Sequence, residues 1–141
     1  MTSGIARACL VCACLTWGVA DAQKRPNAEA PPLIESVEGA DLYGAYCAVC
    51  HGKDAKGGGP MAAALRAATP DLTGIAKRSG GKFPVERVRG IIAGEVELPQ
   101  GHGTREMPVW GPVFSRVTWD RDLGPVRLRN LTAFLEKLQS K

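Results

Sequence analysis

The sequence predicts an all-α domain whose helices are separated by long loops. Apolar residues recur at three- and four-residue steps in three separate stretches, around Leu42–Cys50, Val85–Ile92 and Val126–Leu138. Pro84 and Pro125 stand just before the second and third of those stretches, and Gly94 follows the second. No segment alternates polar and apolar residues with comparable strength, and no internal repeat is present. A chain of 141 residues suits one domain with a single core.

The first helix is expected from about Gly39 to Cys50, with Leu42, Tyr43, Tyr46 and Cys50 on one face. A loop from Gly52 to Pro60 comes next, in which Gly57-Gly58-Gly59 lets the chain pass close to a flat ligand. That run lacks the Lys-Ser/Thr ending and the preceding strand of a phosphate loop. Residues Met61 to Ala68 are alanine-rich and predict a short helix, broken by Pro70. After a polar stretch from Thr73 to Lys82, Pro84 opens the next helix. Val85, Val88, Ile91 and Ile92 lie on one side of it, and Gly94 stops it. Residues 95–122 carry proline, glycine and tryptophan without period and predict a long irregular loop, a length usually associated with function. The last helix opens at Gly124-Pro125 and runs through Val126, Leu128, Leu131, Phe134, Leu135 and Leu138, with Lys137 and Lys141 suiting its C-terminal dipole.

Residues 1–22 read as a signal peptide, with Arg7 as the positive start, an apolar run from Ala8 to Ala20 and Ala20-Asp21-Ala22 as the cleavage site. The run is shorter than the about 18 residues a spanning helix needs, so no transmembrane segment is expected in the mature chain. Val11-Cys12-Ala13-Cys14 offers lipid attachment at Cys14 as the alternative to simple cleavage. Residues 23–37, rich in proline, alanine and charge, read as a flexible arm, leaving 38–141 as the folded domain. The expected compartment is the periplasm of a Gram-negative bacterium. The formal net charge of +4 survives cleavage because Arg7 and Asp21 cancel. Without a dense basic block and interleaved aromatics, nucleic acid is not an expected partner, whereas an acidic docking surface on a partner protein is.

Cleavage removes Cys9, Cys12 and Cys14, so the mature cysteines are Cys47 and Cys50, both in Cys47-Ala48-Val49-Cys50-His51. A Cys-x-x-Cys-His run is the attachment signature of a c-type haem. Cysteines three apart on a helical turn share a face and reach two vinyl groups on one porphyrin edge. His51 then supplies a neutral imidazole to the iron as the first axial ligand. Three other readings use the same residues. A disulfide between Cys47 and Cys50 would be a redox motif rather than a staple. A zinc site would have only His102 and carboxylates to complete it. A thioredoxin-like centre expects strands alternating with helices.

A second axial ligand decides between electron transfer and small-molecule binding, because it closes the iron to substrates. Met107, in Arg105-Glu106-Met107-Pro108-Val109-Trp110-Gly111, lies far enough along the chain to reach the opposite haem face, and Pro108 stiffens it. Met61 is expected to pack against the haem edge or core, and His102 to be a loop histidine near the haem, although each could ligate instead. A backbone carbonyl near Pro60 is a candidate acceptor for the other ring nitrogen of His51. Trp110, Trp119, Arg105 and Arg116 are candidate donors to the haem propionates, with core or solvent roles as the alternatives.

These residues resemble the class I, monohaem c-type cytochromes of the bacterial periplasmic type. The resemblance covers about Val37 to Leu138 and rests on the Cys47–His51 run, Met107-Pro108 and the amphipathic last helix. Pro70-Asp71-Leu72-Thr73 and the run from Arg105 to Gly111 are similar too. The family places a glycine and an aromatic residue of its first helix against its last helix. Here those positions are Gly39 and Tyr43, with Leu131 and Phe134 as partners. The resemblance implies about four helices wrapped round one covalent haem c, with its iron held by His51 and Met107.

The expected function is that of a one-electron carrier rather than a catalyst, with Lys53, Lys56, Lys77 and Lys82 steering acidic redox partners. The arm and the long loop leave room for a second role, as a cytochrome subunit of a periplasmic dehydrogenase or oxidase complex. A haem enzyme or gas binder with an open sixth position is a third reading. The four-helix proteins of that kind carry their Cys-x-x-Cys-His near the C-terminus, not near the mature N-terminus as here.

Overall fold

The computed structural model describes residues 33–96, 106–116 and 122–140, which fall within the unit Pro32–Lys141. The expected signal segment with Cys9, Cys12 and Cys14, the expected arm up to residue 32, and His102, Arg105 and Trp119 lie outside the described residues. Those described are helical and carry no strand, as the apolar periodicity requires.

The expected first helix forms, but not as one regular α-helix. It runs through α1 (Gly39–Leu42), a π segment (Tyr43–Cys47) and α2 (Ala48–His51). In the π segment the Ala48 N–H donates to the Tyr43 carbonyl five residues back. Such bulges are rare and concentrate at functional sites.

The Ala-rich stretch 61–68 is not the short helix its composition predicts. It makes one 3-10 turn, Ala62–Ala64, and Leu65 is already extended. A run this short cannot repay helix nucleation by itself. The N–H groups of Arg66 and Ala67, which a continued helix would have used, donate instead to the Glu106 carboxylate. The polar stretch 73–82 holds a one-turn helix, α3 (Ile75–Arg78).

Helix α4 (Val85–Ala93) forms as predicted, with Pro84 just outside its start and Gly94 in the left-handed conformation at its end, φ 86°. Val88 and Ile92 are buried, whereas Val85 is exposed and does not belong to the inner stripe. The expected irregular loop 95–122 contains helix α5 (Trp110–Phe114). Pro112 occupies its first turn, where the missing N–H costs nothing, and Phe114 is fully buried.

The last helix, α6 (Gly124–Lys137), packs on α1, α4 and α5. Its crossing with α1 is set by Gly39. A Cβ there would lie 2.6 Å from Phe134 Cβ and 2.8 Å from the Asn130 carbonyl carbon, so only glycine permits this approach. Tyr43 stacks obliquely on Phe134 with ring centroids 5.4 Å apart, and Leu42 and Leu131 are fully buried beside them. The glycine–aromatic seam expected from the resemblance is therefore present. Asn130 Nδ2 also donates to the Val37 carbonyl at 2.9 Å, and the Ile34 N–H donates to the Tyr46 hydroxyl at 2.7 Å. Leu33 and Ile34 pack against the core, so the last part of the expected arm is seated on the domain. The end of α6 is tied to α3 and the segment before it: the Ala76 N–H donates to Gln139 Oε1 at 2.8 Å, and Gln139 Nε2 donates to the Leu72 carbonyl at 2.9 Å.

Candidate functional site

The helical run that ends in α2 delivers Cys47, Cys50 and His51 to one wall of a cavity of about 770 Å3. Its last turn is held from both sides. The Tyr43 hydroxyl donates to the Gly52 carbonyl at 2.6 Å, which pins the exit of the helix to its buried middle. The next loop then caps the helix's free carbonyls, with Gly57 N–H donating to His51 O, Gly59 N–H to Cys50 O and Met61 N–H to Val49 O, at 2.8, 3.1 and 2.9 Å. Gly59 is needed for this return, because a Cβ there would sit 2.6 Å from the Cys50 carbonyl carbon. The sequence predicts that the glycine run approaches a flat ligand. The atoms that Gly57 and Gly59 crowd are backbone atoms of Thr69 and Cys50, so these two glycines bring chain to chain.

Met107 reaches the same cavity from the segment that leads into α5, so the four residues singled out in the sequence line one space. Val88, Ile91 and Ile92 of α4 and Leu135 of α6 make much of the rest apolar. Met61 behaves differently from its expected packing role: it is 48% exposed and does not line the cavity, because it stands at the start of the exposed 3-10 turn. Trp110 does line the cavity, and it joins Tyr46 and Phe114 in an aromatic trio with centroid separations of 5.3 to 5.6 Å. Arg116 and the lysines Lys53, Lys56, Lys77 and Lys82 are exposed and stand away from the lining, while Arg66, Arg78 and Arg87 contribute to it.

Burial, and secondarily the neighbouring Cys50, pushes the Cys47 thiol up to about 12. Both cysteines are free thiols. A redox dithiol needs a lowered pKa to furnish its thiolate, so this environment opposes the thioredoxin-like and disulfide readings. Among the described residues no three His, Cys, Asp or Glu side chains gather as a metal cluster, which leaves the zinc reading without a ligand set there. Burial lowers the proton affinity of His51, opposed by the Pro70 carbonyl, and the ring is thereby kept neutral with a lone pair to give. The carbonyl that faces the imidazole thus belongs to Pro70, not to the neighbourhood of Pro60, whose loop is occupied in capping α2. Nδ1 is buried and has no hydrogen-bond partner among the described residues. With Nδ1 sealed, Nε2 is the ring nitrogen available to a ligand.

Glu106, next to Met107, spans the cavity's edge. Its carboxylate accepts from the Arg66 N–H at 2.9 and 3.1 Å and from the Ala67 N–H at 3.1 Å. These two amides hold its pKa below the usual carboxylate range. Neither this residue nor Arg78, Arg87 or Thr69 stands out in the sequence. For Arg87 a signal exists, since Pro84, Arg87, Val88 and Ile91 all line the cavity and keep the three- and four-residue steps of one helix face. Nothing local marks Glu106 or Thr69.

The residues fit a covalent haem. Two thiols three apart, an imidazole with one free nitrogen and a thioether share a largely apolar space of a size typical of cofactor sites, about 300–1,000 Å3. The buried Thr69 hydroxyl has no hydrogen-bond partner among the described residues. Three arginines on the lining suit the carboxylates such a group carries.

Comparison with known families agrees with this chemistry: the family model Cytochrome c matches residues 36–139. No curated protein and no solved structure matches the chain.

Proposed function

The chain belongs to the cytochrome c family, whose members bind haem covalently and carry electrons, and on that premise we propose that this protein is a periplasmic one-electron carrier with a single haem c. The observation that carries the reading is the meeting of Cys47, Cys50, His51 and Met107 on one cavity. In it Cys47 and Cys50 would hold the group through thioethers, His51 would offer Nε2 to the iron, and Met107 would offer its thioether as the second protein ligand. When bound, the haem supplies an Fe(III)/Fe(II) couple that exchanges one electron without a substrate pocket.

The chain's own residues set the conditions of that exchange. Neutral His51 donates a lone pair without a competing proton. Val88, Ile91, Ile92 and Leu135 exclude water, so a change of charge inside costs little reorganisation. The Met107 thioether favours the reduced state relative to a second imidazole. Arg66, Arg78 and Arg87 offer guanidinium donors at the cavity and, with the exposed lysines, a basic surface toward acidic redox partners. Residues 1–22 serve as the export signal and 23–37 as the arm before the domain of 38–141, an arm whose end is already seated through Leu33 and Ile34. No helix among the described residues is long and apolar enough to cross a membrane.

Carbon monoxide tests the reading. The reduced wild-type protein is expected to bind CO only slowly, and Met107→Ala to bind it readily while losing the methionine-to-iron charge-transfer absorption of the oxidised form. Rapid CO binding by intact wild type would overturn the closed, six-coordinate site.

A further inference from the structure

Met107 enters the cavity from a segment whose fastenings differ in kind. Downstream, α5 is seated by packing: Phe114 is fully buried, Trp110 stacks in the aromatic trio, and Gly111 lies against Ala93 of α4. Met107 itself packs against the core, and the fastening beside it is polar and comes from a stretch distant in sequence. Glu106 accepts three hydrogen bonds from two consecutive backbone amides, Arg66 and Ala67, 40 and 39 residues away in sequence. Both Glu106 and the Arg66–Ala67 turn line the cavity. Because helix formation stops after Ala64, the amides of this turn are not taken up by a helical ladder. The carboxylate and the amide pair therefore complete each other across the mouth.

We propose that Glu106 is the positioning residue of the sixth ligand: its carboxylate, gripped by the Arg66 and Ala67 amides, straps the Met107 segment over the iron and limits how often the methionine lets go. This rests on the reading of Met107 as the axial ligand. A carboxylate is suited to the task because two oxygens can accept from two neighbouring N–H groups at once, with the strength of charge-assisted bonds. Glutamine keeps the size but replaces one acceptor oxygen by a donor that faces an amide donor. Alanine removes the strap entirely. The grip uses backbone N–H groups, so the Arg66 guanidinium is dispensable to it.

The experiment uses the haem-loaded protein and three variants, Glu106→Gln, Glu106→Ala and Arg66→Ala, with Met107→Ala as reference. CO binding to the reduced form reads the frequency of ligand release. Glu106→Ala is expected to bind CO about tenfold faster than wild type, Glu106→Gln to fall between them, and Arg66→Ala, which keeps both backbone amides in place, to stay well short of Glu106→Ala. Amide hydrogen exchange gives a reading independent of the iron: the Arg66 and Ala67 amides should lose protection in Glu106→Ala and keep it in Arg66→Ala. A glutamate with a merely structural role would lower the unfolding midpoint while leaving CO binding and the reduction potential unchanged. That result in both Glu106 variants overturns the strap. So does an Arg66→Ala variant that opens as far as Glu106→Ala, because a charge pair would then be the fastening. If Met107→Ala itself behaves as wild type, the sixth-ligand reading fails and the strap falls with it. If Met107→Ala opens the iron and the Glu106 variants do not, only the strap fails.

Discussion

The crossing of α1 with α6 and the wall formed by residues 61–72 and 106–110 border the same interior, yet they are held by opposite means. The crossing is apolar and depends on shape: Gly39 admits Phe134, Tyr43 leans on it, and Leu42 and Leu131 are sealed beside them. The wall has little regular structure and, beside the packing of Leu72, Met107 and Trp110, is joined by polar bonds between distant backbone and side-chain groups, such as Glu106 to Arg66 and Ala67. A shape-dependent crossing should fail steeply and globally when overfilled. A wall of hydrogen bonds should fail locally, changing what the cavity holds more than whether the chain folds.

The sharpest test of this contrast is Gly39→Val. Even a Cβ cannot be accommodated against the Asn130 backbone and Phe134, so the helices must separate, at a cost of about 3 kcal/mol. Urea denaturation of the haem-loaded protein is expected to show this loss. A midpoint equal to wild type would mean the seam is softer than the packing implies. Next in size is Gly59→Ala, on the loop that caps the Cys50–His51 turn. Here the added methyl meets the Cys50 backbone, and about 2 kcal/mol is expected to be lost. Its larger signature should be poor covalent haem incorporation, measured as the ratio of haem absorbance to protein.

The same contrast decides how much of each region is legible in the sequence. The seam is legible because helix packing writes itself as period: Leu42, Tyr43, Leu131 and Phe134 recur at the right steps, and a glycine facing them implies a close crossing. Cys47, Cys50 and His51 are legible because their spacing is the chemistry. The Tyr43–Cys47 π segment is not, since a one-residue slip in hydrogen bonding leaves the apolar pattern nearly intact. The missing 61–68 helix, the Glu106 strap, the Pro70 carbonyl and the tie of Gln139 to Leu72 and Ala76 share one reason: each depends on a partner many residues away. Propensity sees alanine and predicts helix, but it cannot see the carboxylate that takes the amides.

Tyr43 belongs to both regions, and pH separates its two contributions. Its ring packs in the seam, while its hydroxyl donates to the Gly52 carbonyl and so steadies the turn that bears His51. Burial, with smaller contributions from Cys47 and Asp54, raises its pKa to about 12, against about 10 in the unfolded chain. The folded state therefore holds this proton more tightly. Stability from it is complete below about pH 10 and is lost as pH rises from there toward about 12. Tyr43→Phe should keep the seam and lose the hydroxyl bond, costing about 1 kcal/mol at neutral pH. It should also flatten the alkaline decline between about pH 10 and about 12 in urea denaturation. An identical decline in the variant would assign it to other groups.

The smallest effect is expected at Met61, and it bears on how the two methionines divide. Both are candidates for the iron in the sequence, yet Met61 stands 48% exposed beside the 3-10 turn while Met107 lines the cavity under the Glu106 strap. An exposed side chain away from caps and buried bonds contributes within about 0.5 kcal/mol. Met61 also donates its backbone N–H to Val49, and Met61→Ala preserves that bond. This variant should therefore match wild type in urea midpoint, in the charge-transfer absorption of the oxidised haem and in its slow binding of CO. A loss of that absorption in Met61→Ala, with Met107→Ala unaffected, would move the ligand from the strapped wall to the exposed turn and reverse the assignment of the two methionines.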